Sequence, residues 1–133
     1  MLEKFPLDLS RVHITGLLPY DDFLQVLQAS SVHIYLTRPF VLSWSMLEAL
    51  SVGCAIVASD TAPVKEVIED NVNGLLVDFF SPQQVCDRVI EALEHPGKMA
   101  DIRTKARETI LEKYDLANLL PQHLQWVKDS VNN

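Results

Sequence analysis

Apolar residues fall in two regimes along this 133-residue chain. Up to Phe80, short apolar runs alternate with stretches of helical spacing; beyond it only helical spacing remains. The runs Val32–Leu36 and Ala55–Ala58 lack the alternation of a half-exposed strand, as strands buried on both faces of a parallel sheet require. Val12–Thr15 and Leu75–Val77 are read as two further strands. Between them, Tyr20–Ala29 places Phe23, Leu24, Val26 and Leu27 at helical spacing behind Asp21 and Asp22, which suit a helix amino terminus. Ser43 is placed to cap a second helix running to Val52, with Met46, Leu47, Ala49 and Leu50 as good helix formers. Pro63 opens a brief third helix through Ile68, and Asp70-Asn71-Val72-Asn73-Gly74 is a strong turn signal.

The remainder predicts three helices. Ser81 caps the first, with Pro82 in its first position and Val85, Val89, Ile90 and Leu93 at helical spacing until His95-Pro96-Gly97. Lys98–Tyr114 carries Met99, Ile102, Ala106, Ile110 and Leu111 on one face. Leu116–Val131 presents Leu119, Leu120, Leu124, Trp126 and Val127, with Pro121 inside it. The fold class is therefore α/β: a Rossmann-like three-layer domain with a parallel sheet of about four strands, followed by carboxyl-terminal helices. Residues 1–133 form one domain, with 98–133 a helical extension and Met1–Ser10 a lead-in.

Composition narrows the function classes. Hydrophobic residues make up 48% and charged residues 22%, so the chain can bury a core. A net charge of −7, with eleven Lys and Arg scattered, argues against a sequence-independent nucleic-acid binder. No apolar run reaches the length of a membrane span. Cys54 and Cys86 have no metal or redox spacing and read as free buried thiols, in keeping with a cytoplasmic protein. His13 and His33 lie inside strand runs, no metal pair is formed, and no Ser-His-Asp or Cys-His arrangement is present. The sequence contains neither GxGxxG nor GxxxxGK[ST], and Gly16-Leu17-Leu18 stands where a receiver domain needs an acidic pair.

The chemistry concentrates between Arg38 and Gly53. A strand, a tight loop and a helix amino terminus put unpaired N–H groups at the carboxyl edge of a parallel sheet, where the helix dipole favours an anion. The backbone amides of Trp44 and Ser45 behind Ser43 are the expected diphosphate donors, the Trp44 side chain being read as core. Glu48, flanked by apolar residues, needs a specific partner, which a ribose hydroxyl pair would supply. Arg38 is either a phosphate contact or a solvated loop arginine.

The strand, loop, helix with Leu47-Glu48-Ala49, Gly53 and second apolar strand resemble the nucleotide-sugar-binding lobe of the group 1 (family 4) glycosyltransferases of the GT-B fold. Val12-His13-Ile14-Thr15-Gly16, Pro63-Val64-Lys65-Glu66-Val67 and Asn73-Gly74-Leu75-Leu76-Val77 match in the right order, from Val12 to Val77. The resemblance implies transfer of a sugar from a nucleotide-diphosphate sugar, a substrate rather than a cofactor, with Glu48 in the place of the family's second glutamate. The first glutamate, which touches the donor sugar, falls on Phe40, and the family glycines fall on Val41 and Ser43, so sugar recognition must differ or be lost. Thr37 and Gly16 are expected at the base pocket. Glu66 matches a glutamate near the donor loop or has a helix-end role.

The resemblance also implies two earlier strands, a basic pair that reaches the diphosphate, and a separate amino-terminal acceptor lobe. The chain is therefore expected to be a truncated donor lobe, inactive alone and without catalytic residues of its own. The alternative is a non-catalytic interaction domain with a degenerate pocket. With the two strands absent, Val12–Thr15 is expected to pair directly with Val32–Leu36, and a homodimer to cover the apolar face left bare.

Overall fold

The computed structural model describes residues 8–38 and 42–131. Strands β1 (His33–Tyr35), β2 (Ile56–Ser59) and β3 (Leu75–Val77) form one parallel sheet in the order β1-β2-β3. Ile34 stands opposite Val57, and Val57 opposite Leu75. Helix α1 (Tyr20–Ala29) precedes β1, α2 (Trp44–Ser51) joins β1 to β2, and the short α3 (Ala62–Lys65) lies between β2 and β3. Helices α4 (Pro82–Glu94), α5 (Pro96–Lys113) and α6 (Leu116–Val131) follow. The α/β fold class stands as the sequence implies, and the order of these three strands is sequential.

Every residue of β2 is buried, which requires cover on both faces. On one face Tyr35, Ile56 and Ala58 pack with Leu27 of α1, Met46, Ala49 and Leu50 of α2, Val64 of α3, and Ala106 and Ile110 of α5. On the other, Val57, Leu75 and Val77 meet Ala92 of α4 and Met99 and Ile102 of α5. Helix α5 thus completes both cores, whereas no residue of α6 is buried.

Helix α2 is fixed at its carboxyl end by two devices. Gly53, at φ +71°, reverses the chain, with Gly53 N–H donating to the Leu50 carbonyl and Cys54 N–H to that of Ala49, a Schellman closure. Arg103 Nε donates to the Gly53 carbonyl at 2.6 Å, and Arg107 donates to that of Ser51. Both cations sit where the helix dipole is negative.

The 69–74 turn is held from inside. Buried Asn73 accepts from the Glu69 N–H at 2.8 Å and donates to the Val67 carbonyl and the Thr109 hydroxyl, which ties the turn to α5. A Cβ on Gly74 would lie 2.8 Å from Ile68 Cγ2 and 2.9 Å from Ile56 Cγ2, so this glycine is demanded by close packing. Outside the turn, Arg88 bridges Asp70 at 3.1 Å and Glu91 at 2.8 Å, and Lys98 pairs with Glu91 at 2.6 Å.

One expected strand does not form. Residues 12–16 have no regular secondary structure, no hydrogen bond among the described residues joins them to β1, and Ile14 is 83% exposed. The reason lies in the edge they were to join. Ile34 of β1 is itself 47% exposed, so a strand added there would close its ladder without burying its side chains. The anticipated pairing of Val12–Thr15 with Val32–Leu36 is therefore incorrect, and β1 keeps an open edge.

Two outcomes test these packing arguments. Gly74→Ala should lower stability by about 1–3 kcal/mol through overpacking, whereas Gly97→Ala, at a helical position with no atom near the added Cβ, should leave stability unchanged or raise it by up to about 1 kcal/mol. Urea midpoints compared at constant slope separate the two. In the second test, hydrogen bonds from Lys98 and Arg88 hold the Glu91 carboxyl below its ordinary pKa of 4.5. The native state then binds fewer protons than the unfolded chain, so the contribution is complete above that value and is lost as pH falls through and below it. Melting temperatures followed from pH 7 down to about 3 should fall less steeply in Glu91→Gln than in the parent; equal slopes would remove the network from the acid response.

Candidate functional site

The candidate residues gather where the chain leaves the carboxyl ends of the strands. After β1, the buried Ser59 hydroxyl clamps the Thr37 peptide, accepting from its N–H at 3.0 Å and donating to its carbonyl at 2.9 Å. The β1–β2 pairing is thereby carried past the last ladder residue into the loop. The Thr37 hydroxyl donates to the Arg38 carbonyl at 3.2 Å, so it is engaged within its own loop. The Arg38 guanidinium stands over the Phe79 ring, 6.0 Å from its centroid. Phe40 lies outside the described residues.

The chain re-enters at α2 with a second clamp. Ser43 N–H donates to the Tyr35 hydroxyl at 2.9 Å, fixing the helix start over the end of β1. As expected, Ser43 caps α2, its Oγ accepting from Ser45 N–H at 3.3 Å and lying 2.9 Å from Ser45 Oγ. The Trp44 amide has no partner among the described residues, while that of Ser45 is held by a long, displaceable cap bond. The Trp44 side chain is 81% exposed, not core. Helical geometry explains this: Trp44 precedes Met46 by two positions and so lies on the opposite side of the helix from the buried Met46, Ala49 and Leu50.

Glu48 follows Trp44 by four residues and shares its outward face, but it is half-buried. Its neighbour there is Tyr20, the first residue of α1, which is 59% exposed and whose phenol feels the Glu48 carboxylate. Desolvation of the phenol and this carboxylate both raise its pKa above the ordinary 10.0. Beside Tyr20, residues Thr15, Gly16, Leu17, Leu18 and Phe23 line a cleft of about 410 Å³. Gly16 adopts φ +63°, a conformation that favours glycine, and turns the chain along this cleft. The amino end of α1, with Asp21 and Asp22 in its first turn, thus borders an apolar cleft, and Tyr20 relates that cleft to Glu48 of α2.

Glu66 is exposed at the carboxyl end of α3, and its side chain makes no hydrogen bond or ion pair among the described residues. Among the described residues, no group of three or more His, Cys, Asp or Glu side chains could hold a metal. His33 is held neutral to lower pH by burial, and burial raises the Cys54 thiol pKa, whereas Cys86, expected buried, is exposed on α4, whose only buried residue among those described is Ala92. Sequence reasoning missed Ser59, Tyr20, Tyr35 and Phe79. Ser59 alone carried a signal, as the first polar residue closing a buried run.

Comparison with known proteins decides the family. The profile of the family described as "Glycosyl transferases group 1" matches residues 7–109. The chain belongs to that family. An uncharacterized glycosyltransferase of Methanocaldococcus jannaschii is 25% identical over 122 residues, covering 91% of this chain and 31% of that protein. The poly(ribitol-phosphate) alpha-N-acetylglucosaminyltransferase of Staphylococcus aureus is 32% identical over 81 residues, covering 60% of this chain and 16% of that protein. Among solved structures, Anabaena HepE in complex with UDP and glucose superposes with a TM-score of 0.83 at 22% identity, over 90% of this chain and 32% of that one. That likeness shows the GT-B Rossmann-like fold. This group 1 glycosyltransferase chain thus spans about a third or less of these relatives' lengths. No helix among the described residues is long and apolar enough to cross a membrane.

Proposed function

We propose that this chain supplies the nucleotide-binding half of the donor site in a glycosyltransferase that uses a nucleoside-diphosphate sugar. The observation that carries the reading is the half-buried Glu48 one turn inside the capped, solvent-facing start of α2. A carboxylate there takes the two ribose hydroxyls, and the Trp44 amide, joined by that of Ser45 once its cap bond is displaced, takes phosphate oxygens. The cleft beside Gly16 and Tyr20 takes the base. Thr37 contributes its place at the sheet edge rather than a free hydroxyl. The UDP in the HepE complex makes UDP the natural probe.

Glu48→Ala should weaken UDP binding at least about tenfold in calorimetry, because a charge-assisted hydrogen bond contributes roughly 1.5–3 kcal/mol. The parent chain alone should transfer glucose from UDP-glucose to no acceptor and hydrolyse it at most slowly, and measured turnover with a defined acceptor would overturn this. Unchanged UDP affinity in a folded Glu48→Ala chain would remove the carboxylate from the site. The interaction-domain alternative, favoured by Phe40 at the glutamate position, gains if the parent chain binds neither UDP, GDP nor ADP.

The sheet face expected to be left bare for a second copy is instead covered by α4 and α5, so assembly follows from the edge of β1. Its outer edge has no partner among the described residues, and Ile34 and Leu36 stay exposed beside it. In the longer enzyme the remaining strands and the other lobe would cover this edge, and in the isolated chain a second copy would. Light scattering at micromolar concentration should give a dimer, and Ile34→Lys a monomer. A monomeric parent chain would refute self-association.

A further inference from the structure

We infer that Phe79 is a positioning residue: its ring holds the Arg38 guanidinium at the carboxyl edge of the sheet, with the N–H groups left open to the diphosphate of the donor. The inference rests on the donor-site reading above and extends it to a loop that follows a different strand. The Arg38 guanidinium carbon lies 6.0 Å from the Phe79 centroid, within range of a cation–π contact. An arginine held by the face of a ring keeps its donors, because they radiate in the guanidinium plane while the ring takes the face. An ion pair would instead consume them.

Lys65, which follows the carboxyl end of β2, is in that consumed state, paired with Asp60 at 2.7 Å. Arg38 has no carboxylate partner and its guanidinium donates no hydrogen bond among the described residues. Its backbone is also restrained, since the Ser59 hydroxyl grips the adjacent Thr37 peptide.

The ring is a fixed support. Phe79 is half-buried and meets Phe80 edge to face, centroids 5.0 Å apart at 84°. The loop beneath it is pinned at several points. Asp78 N–H donates to Gln84 Oε1 at 3.0 Å, Phe80 N–H to Asp78 Oδ1 at 2.9 Å, and Ser81 N–H to the Asp78 carbonyl at 3.1 Å. Ser81 in turn caps α4, so the ring is anchored to a 13-residue helix. Arg38 is thus restrained at both ends, by Ser59 on its peptide side and by Phe79 at its tip.

Calorimetry on the 133-residue chain with UDP and with uridine tests this. Phe79→Leu should weaken UDP about threefold to tenfold and leave uridine unchanged, Phe79→Tyr should restore the parent value, and Phe79→Leu should add nothing in an Arg38→Ala background. An equal loss for UDP and uridine, or an equal loss with and without Arg38, overturns the inference. Should the parent chain bind no UDP, the donor-site reading fails by itself, and ¹⁵N relaxation of Arg38 Nε–H in the free protein decides the positioning claim. An ordered Nε–H in the parent and in Phe79→Tyr, mobile in Phe79→Leu, supports it; one equally mobile in all three overturns it.

Discussion

The structure depends on β2 having no exposed residue. A four-residue strand with both faces and both edges covered needs two cores and two flanking strands, and the rest of the chain supplies them. Helix α2 covers one face and is clamped to the sheet at both ends, by Ser43 on Tyr35 and by Arg103 and Arg107 on its last carbonyls. Because its start is set by the end of β1, the candidate site is a by-product of packing α2 over a buried strand. Helix α5 reaches both cores and shares that clamp, so the site stands on residues more than fifty positions downstream in sequence.

The sequence made the interior legible wherever local signals and burial agree. The bounds of α1 and α6 match the expected Tyr20–Ala29 and Leu116–Val131, each beginning after a turn residue and carrying a long periodic run. Pro121 removes a single hydrogen bond from α6 and does not end it. Val12–Thr15 failed for a reason that no local pattern contains. Strand formation needs a neighbour and a covered face, and the segment's apolar content was silent on both.

The site was legible as a place more than as a set of contacts. Strand, loop and capped helix located it, and Glu48 and Gly16 lie there beside Tyr20. Side-chain roles were less accessible, because they turn on angles around a helix and on loops brought together by the sheet. Trp44 was misread for want of its two-residue offset from Met46. The approach of Arg38 to Phe79 joins the ends of two strands separated by β2, a juxtaposition that only the strand order creates.

The double role of α5 also governs how this polypeptide is born. Met99 and Ile102 complete one core, and Ala106 and Ile110 the other, yet all four are synthesised after the sheet's last strand residue, Val77. Translation at about 5–20 residues per second leaves roughly two to seven seconds between Val77 and Ile110. Through that interval the nascent sheet carries unfinished apolar faces and an open edge at β1, the surface that ribosome-associated chaperones bind. The fold closes only when α5 arrives.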